Sequence, residues 1–176
     1  MPAWECGFYF RRENLMDTKI LNNVTYDEMA VGQSVELVKA LTEHDIALFG
    51  YMSGDVNPAH FNREYAEGTI FKDVIAHGMW SSSLISNLLG TQLPGPGTIY
   101  LSQTLKFSRP VYIGDEITVQ VKVIEKKEKN RVVLDCKCTN QKDEVVTSGL
   151  AEVIAPAEKL ILAAPKLVRQ QVEVHG

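Results

Sequence analysis

Along this chain the spacing of apolar residues changes from mainly helical to alternating near residue 98. The segment 33–41, Gln-Ser-Val-Glu-Leu-Val-Lys-Ala-Leu, predicts a strand entering a helix. Thr42 suits the N-cap, and Glu43 and Asp45 put negative charge where the helix dipole favours it. Ile46, Ala47, Phe49, Gly50 and Met52 give that helix one face, and Ser53-Gly54 stops it. Residues 55–58 then form a turn, and 61–67 a short helix closed by Gly68. The longest helix starts near His77-Gly78 and runs through Met79, Leu84, Ile85, Leu88 and Leu89 to Gly90. Its Ser81-Ser82-Ser83 run keeps one side small, so another backbone can lie close. Leu93-Pro94-Gly95-Pro96-Gly97 is punctuation that neither helix nor strand can cross.

Beyond it, residues 99–107 predict a strand ended by Ser108-Arg109-Pro110. Ile117, Val119, Val121 and Val123 alternate with polar residues in a second strand, and 125–131 is a charged hairpin tip. Val132, Leu134, Cys136 and Cys138 share one face of a third strand, and a turn at 140–143 leads into a fourth over 144–154. One buried helix against a curved antiparallel meander is an α+β architecture. Residues 1–15 show no periodicity and are expected to be an unstructured or non-native extension. Residues 16–156 form the folded domain. Residues 157–176 read as a tail or interdomain linker with weak apolar runs such as Leu160-Ile161-Leu162.

Composition narrows the function classes. The 176 residues, 45% hydrophobic and 23% charged, are ordinary for a soluble domain with a full core. A net charge of −4 argues against general binding to nucleic acid or to a membrane surface. No apolar run approaches the ~20 residues of a membrane helix. Aromatic residues precede Arg11 and Arg12, the reverse of a signal peptide. Cys136 and Cys138 form a C-x-C pair, read as two small core residues in a reducing compartment, so the expected location is cytoplasmic.

The chemistry concentrates in Asp55-Val56-Asn57-Pro58-Ala59-His60 and in Ile75-Ala76-His77-Gly78-Met79. Taken singly, Asp55 and Asn57 are turn formers, Pro58 sets the turn, and His60 is a structural histidine. Together they place an acid and an imidazole on one stiff turn, able to hold a water between them. One group can take its proton while the other delivers a proton. Gly78 either permits close packing at a helix entry or offers a backbone N–H where negative charge develops. These are the parts needed to add water across a polarised double bond. Asp55, His60 and His77 are a conceivable metal set, but the intervening Asn-Pro and the lack of another close ligand count against it, and no metal is expected. His44 and His175 are read as uninvolved. No nucleophile elbow, phosphate loop or dinucleotide fingerprint occurs.

Those two motifs, with Leu93-Pro94-Gly95-Pro96-Gly97-Thr98-Ile99-Tyr100-Leu101, resemble the MaoC-like (R)-specific enoyl-CoA hydratases over roughly 24–156. The resemblance implies the hot-dog fold, an antiparallel sheet wrapped around a long central helix, and a homodimer or oligomer of dimers with each site near the interface. It implies Asp55 and His60 as the catalytic pair and Gly78 as the donor to the thioester carbonyl. Asn57 supports the turn, and Ser53, His77, Met79 and Trp80 line the substrate site. The implied reaction is reversible syn hydration of a trans-2-enoyl-CoA to an (R)-3-hydroxyacyl-CoA. No cofactor is required, coenzyme A being part of the substrate. Two positions depart from the family: Asn62 stands where Asp is frequent, and Trp80 where Leu is common. The Trp80 indole either faces the acyl tunnel, favouring short chains, or packs in the core. The strand around Asp135 and the Ala155-Pro156 exit look most like the branch fused to a phosphate acyltransferase, implying such a domain C-terminal to this chain. The competing readings are an acyl-CoA thioesterase, which the same fold hosts, and a non-catalytic acyl-CoA-binding or dimerisation module.

Overall fold

The computed structural model describes residues 19–167. The expectation for residues 1–15, the end of the tail and His175 lie outside the described residues. In chain order the elements are β1 (Ile20–Asn22), β2 (Ser34–Ala40), α1 (Glu43–Ser53), α2 (Pro58–Phe61), α3 (Arg63–Glu67), α4 (Gly78–Thr91), β3 (Ile99–Gln103), β4 (Lys106–Phe107), β5 (Glu116–Lys126), β6 (Arg131–Thr139), β7 (Val145–Ile154) and β8 (Ile161–Ala163).

Six strands form one antiparallel sheet in the order β2-β5-β6-β7-β3, with β4 also paired to β7. Its inner face is the alternation visible in the sequence. Ile117, Val119, Val121 and Val123 of β5, and Val132, Leu134, Cys136 and Cys138 of β6, are all fully buried. They pack with Ile85, Leu88 and Leu89 of α4 in one core cluster. Each such aliphatic side chain contributes about 1.5–3 kcal/mol by leaving water. The sheet therefore wraps α4, in agreement with the helix-then-meander reading and with the hot-dog architecture.

Local departures have identifiable causes. The strand expected over 99–107 breaks into β3 and β4 because the chain at Thr104 crosses directly over Gly149. A Cβ on Gly149 would overlap the Thr104 carbonyl and stand 2.7 Å from its carbonyl carbon and 3.2 Å from Leu105 Cα. The helix expected at 61–67 divides at Asn62. Asn57 caps α2 through Ala59 N–H (3.0 Å), and Asn62 caps α3 through Tyr65 N–H (2.9 Å). Part of the supposed linker is built into the fold: β8 runs antiparallel to β1, with Leu162 opposite Leu21. Buried Asn23 holds that return. Its amide donates to the carbonyls of Pro96 (3.1 Å) and Glu158 (2.9 Å), and its oxygen accepts from Leu160 N–H (3.0 Å).

Candidate active site

Local sequence builds the turn that carries Asp55 and His60. Thr42 and Asp45 start α1 with a reciprocal capping box. Gly54, at φ 74°, ends it in the left-handed conformation that glycine adopts without strain. Ser53 Oγ then donates to the Phe49 carbonyl (2.7 Å) and accepts from Asp55 N–H (3.2 Å). An oxygen of the Asp55 carboxylate accepts from Asn57 N–H at 3.1 Å. Pro58 occupies the first turn of α2, where its missing N–H costs nothing. Ser53 Oγ and Asn57 Oδ1 thus bond within the turn itself.

The turn docks on the segment that starts α4. His60 Nδ1 lies 2.8 Å from the Ile75 carbonyl. A carbonyl only accepts, so Nδ1 carries the hydrogen and a neutral His60 has a bare, basic Nε2. The same logic applies to His77, whose Nε2 donates to the main-chain carbonyl of Asp55 at 2.9 Å. The two imidazoles stack with centroids 3.9 Å apart and planes inclined by 32°. Burial, first, and then the neighbouring His60 hold the His77 pKa below its ordinary value; the hydrogen bond to Asp55 and that residue's charge oppose them.

One ligand-type atom each from Asp55, His60 and His77 lies within 4.8 Å of the others. Two hydrogen bonds of about 2.8 Å meeting near the tetrahedral angle span about 4.6 Å, so this separation admits a shared water.

Beside this trio lies a cleft of about 320 Å³ walled by His60, His77, Gly78, Phe107 and Arg109, among others. Gly78 opens α4, so its N–H has no acceptor within the helix and is available at the positive end of the dipole. A Cβ there would stand 3.2 Å from the Phe107 ring.

The structure thus brings Asp55, His60, His77 and Gly78 together. Ser53, Asn57, Met79 and Trp80 are not among the residues that wall the cleft. Ser53 and Asn57 face their own turn, and Met79 exposes half its surface outside the cleft wall. Trp80 is 5% exposed, packs in the core cluster, and borders a groove with Leu48, Phe49 and Met52 of α1 rather than the cleft. Of the two placements open for its indole, the core is the one observed. Sequence reasoning missed Phe71, Phe107, Arg109 and the buried Ser81–Thr147 hydroxyl pair (2.8 Å) as walls of the cleft. The serine run was the only signal, and it marked a small helix face without saying what meets it.

Comparison with known proteins identifies the family. The family described as "MaoC like domain" matches residues 27–145. An (R)-specific enoyl-CoA hydratase of Rhodospirillum rubrum is 48% identical over 133 residues, which cover 75% of this chain and 92% of that protein. A 3-hydroxybutyryl-CoA dehydratase of Methylorubrum extorquens is 42% identical over 135 residues, covering 76% and 85%. Among solved structures, the unliganded R-hydratase PhaJ1 of Pseudomonas aeruginosa superposes with a TM-score of 0.85 at 45% identity, over 88% of this chain and all of that one. By sequence and by fold, the chain belongs to the MaoC-like family of hot-dog proteins.

Proposed function

We propose that this protein hydrates trans-2-enoyl-CoA thioesters reversibly to (R)-3-hydroxyacyl-CoA, with Asp55, His60 and Gly78 as its catalytic groups. The observation that carries the reading is the approach of the Asp55 carboxylate and an imidazole nitrogen of His60 to within 4.8 Å, beside a cleft opened by Gly78. The names of the relatives, hydratases and dehydratases of CoA thioesters, point the same way.

The chemistry follows from the tautomers. Asp55 accepts a hydrogen bond from one O–H of the water and turns its lone pair toward C3 of the enoyl group. The bare Nε2 of His60 removes the other proton as the C3–O bond forms. The electron pair of the double bond moves to the thioester oxygen, where Gly78 N–H and the α4 dipole stabilise the enolate. The imidazolium then returns its proton to C2 on the same face, so H and OH add syn. The thioester acidifies C2, and this scheme calls for no metal or redox group.

The outermost position of β3 supports a homodimer, because Ile99, Tyr100 and Leu101 leave an apolar strand exposed. Among the described residues no helix is long and apolar enough to cross a membrane. Buried free Cys136 and Cys138 suit a reducing cytoplasm. The motif resemblance also supports a phosphate acyltransferase as partner; failure of the two activities to comigrate when a native extract is sized would overturn that.

Purified protein mixed with crotonyl-CoA tests the central reading. Loss of enoyl absorbance without release of free thiol is the expected result. Thiol release would instead make it a thioesterase, and binding without turnover a non-catalytic module.

A further inference from the structure

His77 occupies the N-cap position of α4, yet its side chain makes no capping hydrogen bond. Ser, Thr, Asp or Asn would satisfy the free N–H groups there, so capping does not explain a histidine. It is 3% exposed, and its Nδ1 has no hydrogen-bond partner. The ring is held on several sides: Phe49 at 4.8 Å, His60 at 3.9 Å, and the edge of Phe61 at 5.7 Å. Its single polar contact is Nε2–H to the Asp55 carbonyl, 22 residues back in the chain. That bond joins the acid-bearing turn to the residue preceding Gly78. Burial lowers the His77 pKa, which disfavours a second positive charge beside His60.

We propose that His77 is a positioning residue for the hydration reaction, its Nε2–H pinning the Asp55 main chain to the start of α4. The Asp55 carboxylate, the His60 imidazole and the Gly78 N–H then keep one mutual geometry. This deepens the hydratase reading and rests on it, replacing the substrate contact that the family resemblance suggested for His77.

Two variants separate the ring from its donor. H77F keeps an aromatic ring between Phe49 and His60 but removes the N–H. H77Q can place an amide N–H where Nε2–H stands, without the ring. The assay is crotonyl-CoA hydration, with folded protein quantified by circular dichroism. H77F is expected to lose about 10–100-fold in kcat with KM within about 3-fold, the signature of misplaced rather than missing groups. H77Q should retain kcat within about 5-fold of wild type. H77F turning over within about 3-fold of wild type overturns the proposal, as does H77Q being as slow as H77F. A raised KM at unchanged kcat also overturns it, since that marks a substrate contact. Should either variant fail to fold, ¹⁵N spectra of the wild-type imidazoles at pH 7 decide: a protonated Nε2 on His77 is expected, and a bare Nε2 refutes the proposal. Wild-type protein that shows no hydration would sink the hydratase reading, while the ¹⁵N result would still report on the Asp55 contact.

Discussion

Replacing Gly50 by alanine tests whether the catalytic turn is seated by contact with α1. Gly50 is buried in the last turns of that helix, with Phe61 and the Asp55 carbonyl lying over it. A Cβ there would overlap Phe61 Cζ, stand 3.2 Å from Cε2, and come within 3.3 Å of the Asp55 carbonyl oxygen. Restoring an ordinary carbon–carbon separation of about 3.5 Å moves the ring end by roughly 1 Å. The ring has room to go, because one side of it borders a cleft shared with Ile46, Arg63, Val74 and His60. The protein should therefore fold. Overpacking costs about 1–3 kcal/mol, and alanine returns about 1 kcal/mol of helix propensity. The net is a loss of about 0–2 kcal/mol, a drop in Tm of no more than about 8 °C.

Activity should suffer more than stability. Phe61 follows His60 in the chain and packs edge-on against both His60 and His77, so displacing it disturbs the stacked pair. The Asp55 carbonyl that the new methyl crowds is also the acceptor for His77 Nε2–H. A misplacement of about 1 Å at reacting groups lowers turnover about 100-fold. Crotonyl-CoA hydration and a thermal melt on the same preparation give both numbers. Turnover within about 3-fold of wild type would show that the turn is seated without this contact, and the reasoning would fail.

Asp55→Asn and His60→Ala should each lower hydration by about two to four orders of magnitude, and near-normal turnover in either, measured with crotonyl-CoA, would remove that residue from the mechanism. Gly149→Ala drives a methyl into the Thr104 main chain, which no rotamer change can relieve, so a loss of about 3 kcal/mol or insoluble protein is expected; a melt matching wild type would refute the tight crossing. Stability should also depend on pH through His77. Its folded pKa is lowered, so below the ordinary value near 6.5 the unfolded chain binds the extra proton. Stability is then complete above about pH 6.5 and falls as pH drops toward the folded value, by at most about 1.4 kcal/mol per unit. H77F should flatten that fall between pH 6.5 and 5 in urea titrations, and identical slopes in the two proteins would contradict it.

What was legible in the sequence was whatever a short stretch of chain determines. Asp55, Asn57, Pro58 and His60 announce a stiff turn because their preferences act within six residues, and Gly78 announces a helix start. The alternation of Ile117, Val119, Val121 and Val123 likewise fixes which face of β5 is inside. The supports of the site are of another kind. Gly50 matters because Phe61 and Asp55 return over it, and Gly149 because Thr104 crosses it. A glycine in a helix or strand pattern carries no mark of the atoms that will come close to it. The strand at Ile161–Ala163 escaped for the same reason, its partner being 141 residues away at Ile20–Asn22. Asn62 shows the converse. It was flagged because the family often carries Asp there, yet its side-chain oxygen accepts from Tyr65 N–H as a carboxylate would, so the departure leaves the α3 cap intact. His77 lies between the two kinds. Its motif drew attention to it, but nothing local marked the Asp55 carbonyl at 2.9 Å, the long-range contact on which its proposed positioning role rests.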